Sequence, residues 1–235
     1  MIIYGDGKTT YTDADSLSGD LREKIIEGDQ KAFQALQEYA KNDEKAEVRA
    51  RAIYELAEVY FNGYCGVEIS QQKALELLQK AVEQNDIAAM KKIGEFYRDG
   101  EQGFNIDYKK ALEYFTKIGD GGFYKGYELA AEMLTEKHGI IDNYGQKAID
   151  LYQKLADLED DDALSKIAKI YEEGLGEISP NSQAALEVYR EIVRGKEYWV
   201  EVYQNFKIDT VYLQNYKKAL RAIEKIHHKI KSDIS

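Results

Sequence analysis

The fold is decided by the stretch AIYELAEVYFNGYCGVEISQQKALELLQKA, residues 52–81, because its pattern returns three more times at a spacing of 37 residues. The first half of each copy carries small, aliphatic, small and aromatic residues at fixed positions, and the second half carries an alanine followed by an aliphatic residue and an acid. A fixed period of this length is typical of stacked repeats, so the sequence predicts an all-α solenoid of antiparallel helix pairs. The recurring columns are Ala52, Ala89, Gly126 and Ala163; Leu56, Ile93, Ala130 and Ile167; Ala57, Gly94, Ala131 and Ala168; Tyr60, Tyr97, Leu134 and Tyr171; and Ala74, Ala111, Ala148 and Ala185.

Each of the four repeats is predicted to contain a helix A, about 49–62 in repeat 1, and a helix B, about 71–83. Glycine ends helix A in three repeats, at Gly63, Gly100 and Gly174, while Lys137 takes that place in repeat 3. Glycine is favoured there because it adopts left-handed backbone conformations at little cost. Pro180, the only proline, stands where helix B of repeat 4 is expected to begin.

This combination of a patterned helix ending in glycine with a Lys-Ala-Leu-Glu helix resembles the Sel-1-like repeat, a longer relative of the tetratricopeptide repeat, over residues 49–196. Repeat 3 departs from the family pattern at Leu134 and Lys137. The resemblance implies a right-handed superhelix of antiparallel helix pairs that serves as a protein-binding adaptor. It implies no chemical reaction.

Residues 1–48 are predicted to form an N-terminal cap. Asp6-Gly7 suits a tight turn, so a short β-hairpin is expected over residues 2–12. A divergent helix pair, at about 19–27 and 30–41, follows and covers the open end of the array.

Residues 197–235 are predicted to form a degenerate fifth repeat and a C-terminal cap. We expect an amphipathic helix at about 209–231 whose apolar stripe covers the last repeat, and we expect the whole chain to form one continuous domain. The helix before it is marked by the apolar residues Trp199, Val202, Tyr203 and Phe206.

The composition argues for a protein partner. With a formal charge of −11 over 235 residues, the chain lacks the basic footprint that nucleic acids and anionic membranes require, so we expect a partner with a basic surface. There is no run of apolar residues long enough to span a bilayer, and the first residues do not resemble a signal peptide. Cys65 is the only cysteine, which excludes an internal disulfide and fits a cytoplasmic location.

No motif predicts catalysis, a cofactor or a metal. Residues 5–10 resemble a phosphate loop, but Ile2 stands where its first glycine is required. The acidic run 159–162 has no histidine or cysteine nearby and is better explained as helix capping. His138 falls in a loop, and the adjacent His227 and His228 point in different directions on a helix.

Helix A is expected to line the concave side of such an array, so its positions outside the core are the candidate binding residues. The nineteen tyrosines, about half of them core positions, suit recognition because tyrosine gives large contact area at low entropic cost. The candidates are Tyr54, Glu58, Phe61, Lys91, Glu95, Arg98, Glu128, Glu132, Ser165, Lys169 and Glu172.

Three functional hypotheses follow. The first is a non-catalytic scaffold, and within it an immunity protein that is monomeric when free and neutralises a bacterial toxin or effector through an acidic concave face, by analogy with family members. The second is a regulatory or assembly adaptor that bridges protein partners. The third, a hydrolase or nucleotide binder, would require nucleotide-dependent stabilisation, which we do not expect.

Overall fold

Eleven α-helices make up most of the described part of the chain, and one short strand pair precedes them. The computed structural model describes residues 2–3, 9–10, 14–42, 44–136, 141–160, 162–205 and 211–234. The elements are β1 (Ile2–Ile3), β2 (Thr9–Thr10), α1 (Ala14–Ile26), α2 (Gln30–Asn42), α3 (Ala46–Asn62), α4 (Gln71–Glu83), α5 (Ile87–Asp99), α6 (Tyr108–Asp120), α7 (Lys125–Glu136), α8 (Tyr144–Asp157), α9 (Ala163–Glu173), α10 (Ser182–Asn205) and α11 (Val211–Ile234), with a 3-10 turn at Tyr64–Gly66.

The chain packs as two compact units, Met1–Tyr114 and Phe115–Ser235, which are called the N-terminal unit and the C-terminal unit. In the N-terminal unit α3 packs against α1, α2 and α4. In the C-terminal unit each helix from α7 to α11 packs against the next. The buried cluster of the N-terminal unit contains Leu21, Ile25, Ala32, Leu36, Val48, Ala52, Leu56 and Val59, and that of the C-terminal unit contains Ala168, Ala185, Leu186, Tyr189, Ile192, Ala219 and Ile226.

The predicted all-α repeat architecture is confirmed, and several boundaries agree closely. Helix α4 occupies the predicted range 71–83, and α3 begins three residues before the predicted start of helix A. The predicted hairpin is present as an antiparallel pair in which Ile2 lies opposite Thr10. Helix α10 continues without a break past residue 196, where the four repeats were predicted to end. The turn residues Asp6 and Gly7, Lys137 and His138, and the packing of Trp199, Val202, Tyr203 and Phe206 lie outside the described residues.

The same backbone lock joins helices A and B in repeats 1, 2 and 4. The N–H of the residue just before helix B donates to the carbonyl of the column tyrosine in helix A, and the side chain of that same residue caps helix B. The lock fixes the register of each helix pair. The backbone bonds are Ser70 to Tyr60 at 3.0 Å, Asp107 to Tyr97 at 2.7 Å and Asn181 to Tyr171 at 2.6 Å, and the capping side chains accept from the N–H groups of Lys73, Lys110 and Ala184 at 3.4, 3.1 and 3.0 Å.

Glycine at the end of helix A is required by the loop that follows it. Gly100 has φ of 72°, and a Cβ at this position would lie 2.8 Å from Cγ1 of Ile106. Gly63 repeats the arrangement, with φ of 71° and a Cβ distance of 3.0 Å to Cγ1 of Ile69. The isoleucine six residues after the glycine therefore covers a helix end that only glycine can form.

In repeat 3 no such bond is found among the described residues, and the cap of helix B comes from outside the repeat. Tyr144 stands where the other repeats carry a capping side chain, and Asn143 before it makes no side-chain cap. Instead the carboxylate of Glu177, in the loop after α9, accepts from the backbone N–H groups of Gln146 at 2.7 Å and Gly145 at 3.3 Å. Desolvation opposes ionisation, but the hydrogen bonds from Gln146, its own backbone and Gly145 lower the pKa of the Glu177 carboxyl.

Helices α6 and α7 approach so closely that no side chain fits between them. A Cβ on Gly126 would lie 2.4 Å from the backbone nitrogen of Gly119 and 2.5 Å from the carbonyl oxygen of Phe115. Both of these contacts are backbone atoms, which cannot rotate away. Gly126, which stands where the other repeats carry Ala52, Ala89 and Ala163, therefore sets the distance between the two helices.

We predict that Glu177→Gln lowers the free energy of unfolding by about 0.5 to 1 kcal/mol at pH 7, because the α8 N-terminus loses its anionic cap. The lowered pKa places this stabilisation above the carboxyl's unfolded pKa and removes it as the pH falls through the folded pKa. Urea denaturation across this pH range measures the effect. Glu191→Gln, at an exposed position of α10, is the control, and a deficit of equal size in strong acid would contradict the capping role.

We predict that Gly126→Ala lowers the free energy of unfolding by about 1 to 3 kcal/mol, since the added methyl group must push two backbones apart. Gly19→Ala is the matched control, because nothing lies within 4 Å of its Cβ position in α1. The control should be neutral or stabilise by up to about 1 kcal/mol. Thermal denaturation of both variants decides the point, and equal stability of the two would refute the close approach.

Candidate partner-binding site

Two of the predicted binding residues in the N-terminal unit are buried. Tyr54 and Glu58 of α3 are 9% and 6% exposed, so the expectation that they lie outside the core is wrong. The reason is that α1 packs against α3 and places Arg22 Nη2 at 3.9 Å from Glu58 Oε2. On the other side, Lys92 Nζ of α5 lies 3.3 Å from Glu58 Oε1.

These contacts give Glu58 and Tyr54 structural roles. Glu58 Oε1 accepts no hydrogen bond, so its stabilisation comes from the two cations beside it. Burial, and after it the carboxylates of Glu58 and Glu55, raise the pKa of the Tyr54 hydroxyl. The ring also has Arg51 above it, with the guanidinium carbon 5.8 Å from the ring centre.

The other predicted residues of this unit remain at the surface but are engaged with neighbours. Lys91 pairs with Glu95 at 3.6 Å along α5, and the guanidinium of Arg98 holds the carboxylate of Asp99 at 2.6 Å. Phe61 packs edge-on against Phe96, with ring centres 5.8 Å apart. The charges on this part of the surface are therefore largely neutralised in pairs.

The predicted residues of the C-terminal unit lie on α7 and α9. Glu128 pairs with Lys125 at 2.6 Å. Glu172 accepts from the hydroxyl of Tyr189 at 3.3 Å and lies 3.5 Å from Lys225 Nζ. Burial and the Glu172 carboxylate raise the pKa of Tyr189 to about 12. Ser165 is half-buried on α9.

The structure brings Glu132 and Lys169 together in one groove of about 500 Å³ between α7, α8 and α9. Glu132 and Lys169 belong to the helix A positions that the sequence marks, while the floor comes from helix B. The principal lining residues are Glu132, Glu136, Tyr152, Lys166, Lys169 and Glu173.

A lysine already occupies part of this groove. Lys166 Nζ lies 5.3 Å from the centre of the Tyr152 ring and 3.4 Å from Glu132 Oε1. Burial opposes its charge, but Tyr152 and Glu132 raise the pKa of Lys166. Burial also raises the pKa of the Tyr152 hydroxyl, against the attraction of Lys166. An aromatic face beside a carboxylate is a setting that holds a cation.

Sequence reasoning missed four of the principal lining residues of the groove, namely Glu136, Tyr152, Lys166 and Glu173. Glu136 and Glu173 are 37 residues apart and occupy the same position at the end of helix A in repeats 3 and 4. The repeat pattern would have predicted both if the candidate positions had included the last turn of helix A. Tyr152 had no such signal, because it belongs to helix B and is 3% exposed. Only the packing of α8 beneath α7 and α9 brings its ring to the floor.

Other kinds of site find little support in the described residues. No three histidine, cysteine, aspartate or glutamate side chains there come close enough together to hold a metal ion. Cys65 contacts the end of α1, with its sulfur 3.2 Å from the carbonyl oxygen of Ile25, and burial raises the pKa of its thiol. None of the described helices is both long enough and apolar enough to cross a membrane.

The sequence matches the model of the Sel1 repeat at residues 50–86, 87–123, 138–160 and 161–190, which together make up more than half of the chain. The chain belongs to the Sel1 repeat family. Sel1 repeats serve as scaffolds for protein–protein interaction and are generally non-catalytic. The first two matched segments meet at residues 86/87, where α5 begins, so each of these two segments covers a helix A and the following helix B.

A Sel1 repeat protein from Oxalobacter formigenes has a similar structure, with a TM-score of 0.54, 22% sequence identity and coverage of 94% of this chain and 91% of that one. At this identity the likeness concerns the fold alone. A protective antigen of uropathogenic Escherichia coli with an SLR fold matches with a TM-score of 0.37 and 19% identity, over 95% of this chain and 59% of that one. A comparison with curated proteins found no match.

In this Sel1 repeat protein we predict that Glu58→Gln lowers the free energy of unfolding by about 1 to 2 kcal/mol, because a buried carboxylate between two cations loses its charge. Glu95→Gln is the surface control, since it breaks an exposed pair along one helix and should cost no more than about 0.5 kcal/mol. Guanidinium denaturation separates the two, and a Glu58 variant as stable as the Glu95 variant would return Glu58 to the binding surface.

Proposed function

We propose that the chain is an immunity protein that binds a basic segment of a toxin in the groove between α7, α8 and α9 and so neutralises it. The observation that carries the proposal is the chemistry of the groove. It offers three carboxylates, two lysines and a buried aromatic ring in a space of about 500 Å³. The same features would serve an adaptor, so the number and affinity of partners distinguish the two roles.

The balance of charge in the groove supports a cationic occupant. Lys166 lies 3.4 Å from Glu132, and Lys169 lies 3.9 Å from Glu173, so each lysine is matched by one acid. Glu136 makes no ion pair with any residue that the structure describes. A lysine or arginine of a partner would pair with Glu136, in a groove that Glu132 and Glu173 also line.

The aromatic floor adds a second reason. An arginine of the partner can stack on the Tyr152 ring while its guanidinium donates to a carboxylate, a combination that recognises arginine better than a simple point charge does. Lys166 now takes this position, at 5.3 Å from the ring centre. The Lys166 side chain is about two-fifths exposed, so its ammonium can move into solvent when a partner side chain enters.

The net charge of −11 suits fast capture of a basic protein. A strong field of one sign raises the association rate of an oppositely charged partner, and fast association matters for an inhibitor that must act before its target does. Toxins that act on nucleic acids carry basic surfaces for their substrate, and an acidic groove can occlude such a surface. The single cysteine supports placing this function in the cytoplasm.

The test is affinity capture from a lysate of the source cells at low and moderate salt, using the wild type and the groove variant Glu132→Lys/Glu136→Lys/Glu173→Lys. We expect one stoichiometric basic partner with the wild type and at least about tenfold weaker binding by the groove variant, since three favourable charges become repulsive. The captured protein should halt growth when it is expressed alone. Co-expression of the wild type should restore growth, and co-expression of the groove variant should not.

The matched control is Asp150→Lys/Glu187→Lys/Glu191→Lys, which changes the net charge equally at exposed positions of helix B. The control should retain the partner. Equal loss in both variants would point to overall charge instead of the groove, and unchanged capture by the groove variant would remove the groove from the binding site. Several weak, harmless partners would favour the adaptor.

A further inference from the structure

The C-terminal unit exposes three large apolar side chains at the turns that precede its A helices. Phe123 and Tyr124, before α7, are 54% and 59% exposed, and Leu158, before α9, is 58% exposed. Single exposed apolar residues are ordinary, but a group on neighbouring turns indicates a contact surface. We call these three residues the turn patch.

The two turns are held side by side. Lys154, in the last turn of α8, reaches across to Asp120 at the end of α6, with Nζ 3.0 Å from Oδ1. The same ammonium lies 4.6 Å from the centre of the Tyr127 ring, and the Tyr127 hydroxyl donates to Asp120 at 2.7 Å. The turn patch therefore sits on a fixed support.

Beside the turn patch lies an acidic rim that no cation balances. Among the described residues none of the rim carboxylates has a lysine or arginine within ion-pair distance, whereas Glu128, Glu132 and Glu173 on α7 and α9 are each paired. Asp160 accepts from the backbone N–H groups of Asp162 and Ala163 at the start of α9 and so offsets part of the helix dipole, but it keeps its negative charge. The rim consists of Asp157, Glu159, Asp160 and Asp162.

Helix α11 of the same unit carries the complementary surface. Lys217, Lys218 and Arg221 are exposed and form no ion pair with described residues, and Leu220 between them is 37% exposed. We call these four residues the α11 face. The start of α11 lies next to the acidic rim, because Asn215 Nδ2 donates to Asp162 Oδ1 at 2.7 Å.

We propose that a second copy of the chain docks here, with the α11 face of each copy against the turn patch and acidic rim of the other. A two-fold axis requires one surface that is complementary to itself, and an acidic-apolar area directly beside a basic-apolar area meets that requirement. Leu220 of one copy then covers Leu158 and the aromatic pair of the other. This dimer replaces the monomer expected from sequence.

The dimer does not depend on the proposed function, and it leaves the groove open. The turn patch lies before the first residues of α7 and α9, whereas Glu136 and Glu173 line the groove from the last residues of the same helices. Each dimer thus presents two grooves, and a partner with two basic segments gains affinity from both.

The test is sedimentation velocity of the full chain from about 5 to about 200 µM, because mass action makes a reversible dimer depend on concentration. We expect a dimer whose dissociation constant rises about tenfold between about 50 mM and about 500 mM NaCl, since exposed charges hold the copies together. Lys217→Glu/Arg221→Glu and Asp157→Lys/Glu159→Lys should each be monomeric. Their equal mixture should dimerise, because each altered surface then meets an opposite charge.

Dimerisation of the mixture would show that the two variants are folded and that only their interface charges prevent dimerisation. A misfolded variant would not regain dimerisation when a second protein is added. Glu187→Lys/Glu191→Lys, elsewhere in the same unit, is the charge control and should dimerise as the wild type does. A wild type that stays monomeric at every concentration at low salt would overturn the proposal. So would charge variants that sediment like the wild type, a mixture that remains monomeric, or growth beyond a dimer.

Discussion

The fold depends on the close approach of helices at columns of alanine and glycine. Ala52, Ala89 and Ala163 are at most 1% exposed, and at Gly126 in the same column even a methyl group would meet backbone atoms. Helices that approach this closely gain dispersion contacts along their length and leave no room for water. The larger aliphatic residues then fill the space between layers, and every later feature of the surface follows from the spacing that the small residues impose.

Repeat 3 shows how the array tolerates departures from its own pattern. It lacks the column tyrosine, carrying Leu134 instead, and it has no capping side chain before helix B. Glu177 from the next repeat supplies the missing cap. The loop that carries Glu177 belongs to repeat 4, so the missing cap of repeat 3 is replaced by hydrogen bonds between two repeats. Such bonds favour cooperative folding of the array over independent folding of each helix pair.

The sequence predicted the features that recur with the 37-residue period, and it did not predict contacts made by helices outside that pattern. The alanine, glycine and aliphatic columns are buried as expected, and α4 occupies its predicted range, since the same environment recurs in each repeat. Tyr60, Tyr97 and Tyr171, also expected in the core, are only half-buried. Tyr54 and Glu58 were misplaced because the phase of α3 alone cannot reveal that α1 covers them. The groove was half predicted: Glu132 and Lys169 follow from the phase of helix A, but Tyr152 reaches the floor only through the packing of α8.

The net charge of the chain does not show which surface carboxylates are unpaired, because many of the charges form ion pairs between neighbouring repeats. Glu58 pairs with Lys92, and Glu132 with Lys166, at a separation of 34 residues, one helical turn short of the period of 37. Asp120 at the end of α6 and Lys154 in the last turn of α8 have the same separation. Residues so related lie opposite each other on neighbouring repeats, so an array can neutralise its own surface wherever opposite charges occupy these positions. The carboxylates of Glu136 at the end of the groove and of Asp157, Glu159, Asp160 and Asp162 in the rim have no such ion-pair partner among the described residues.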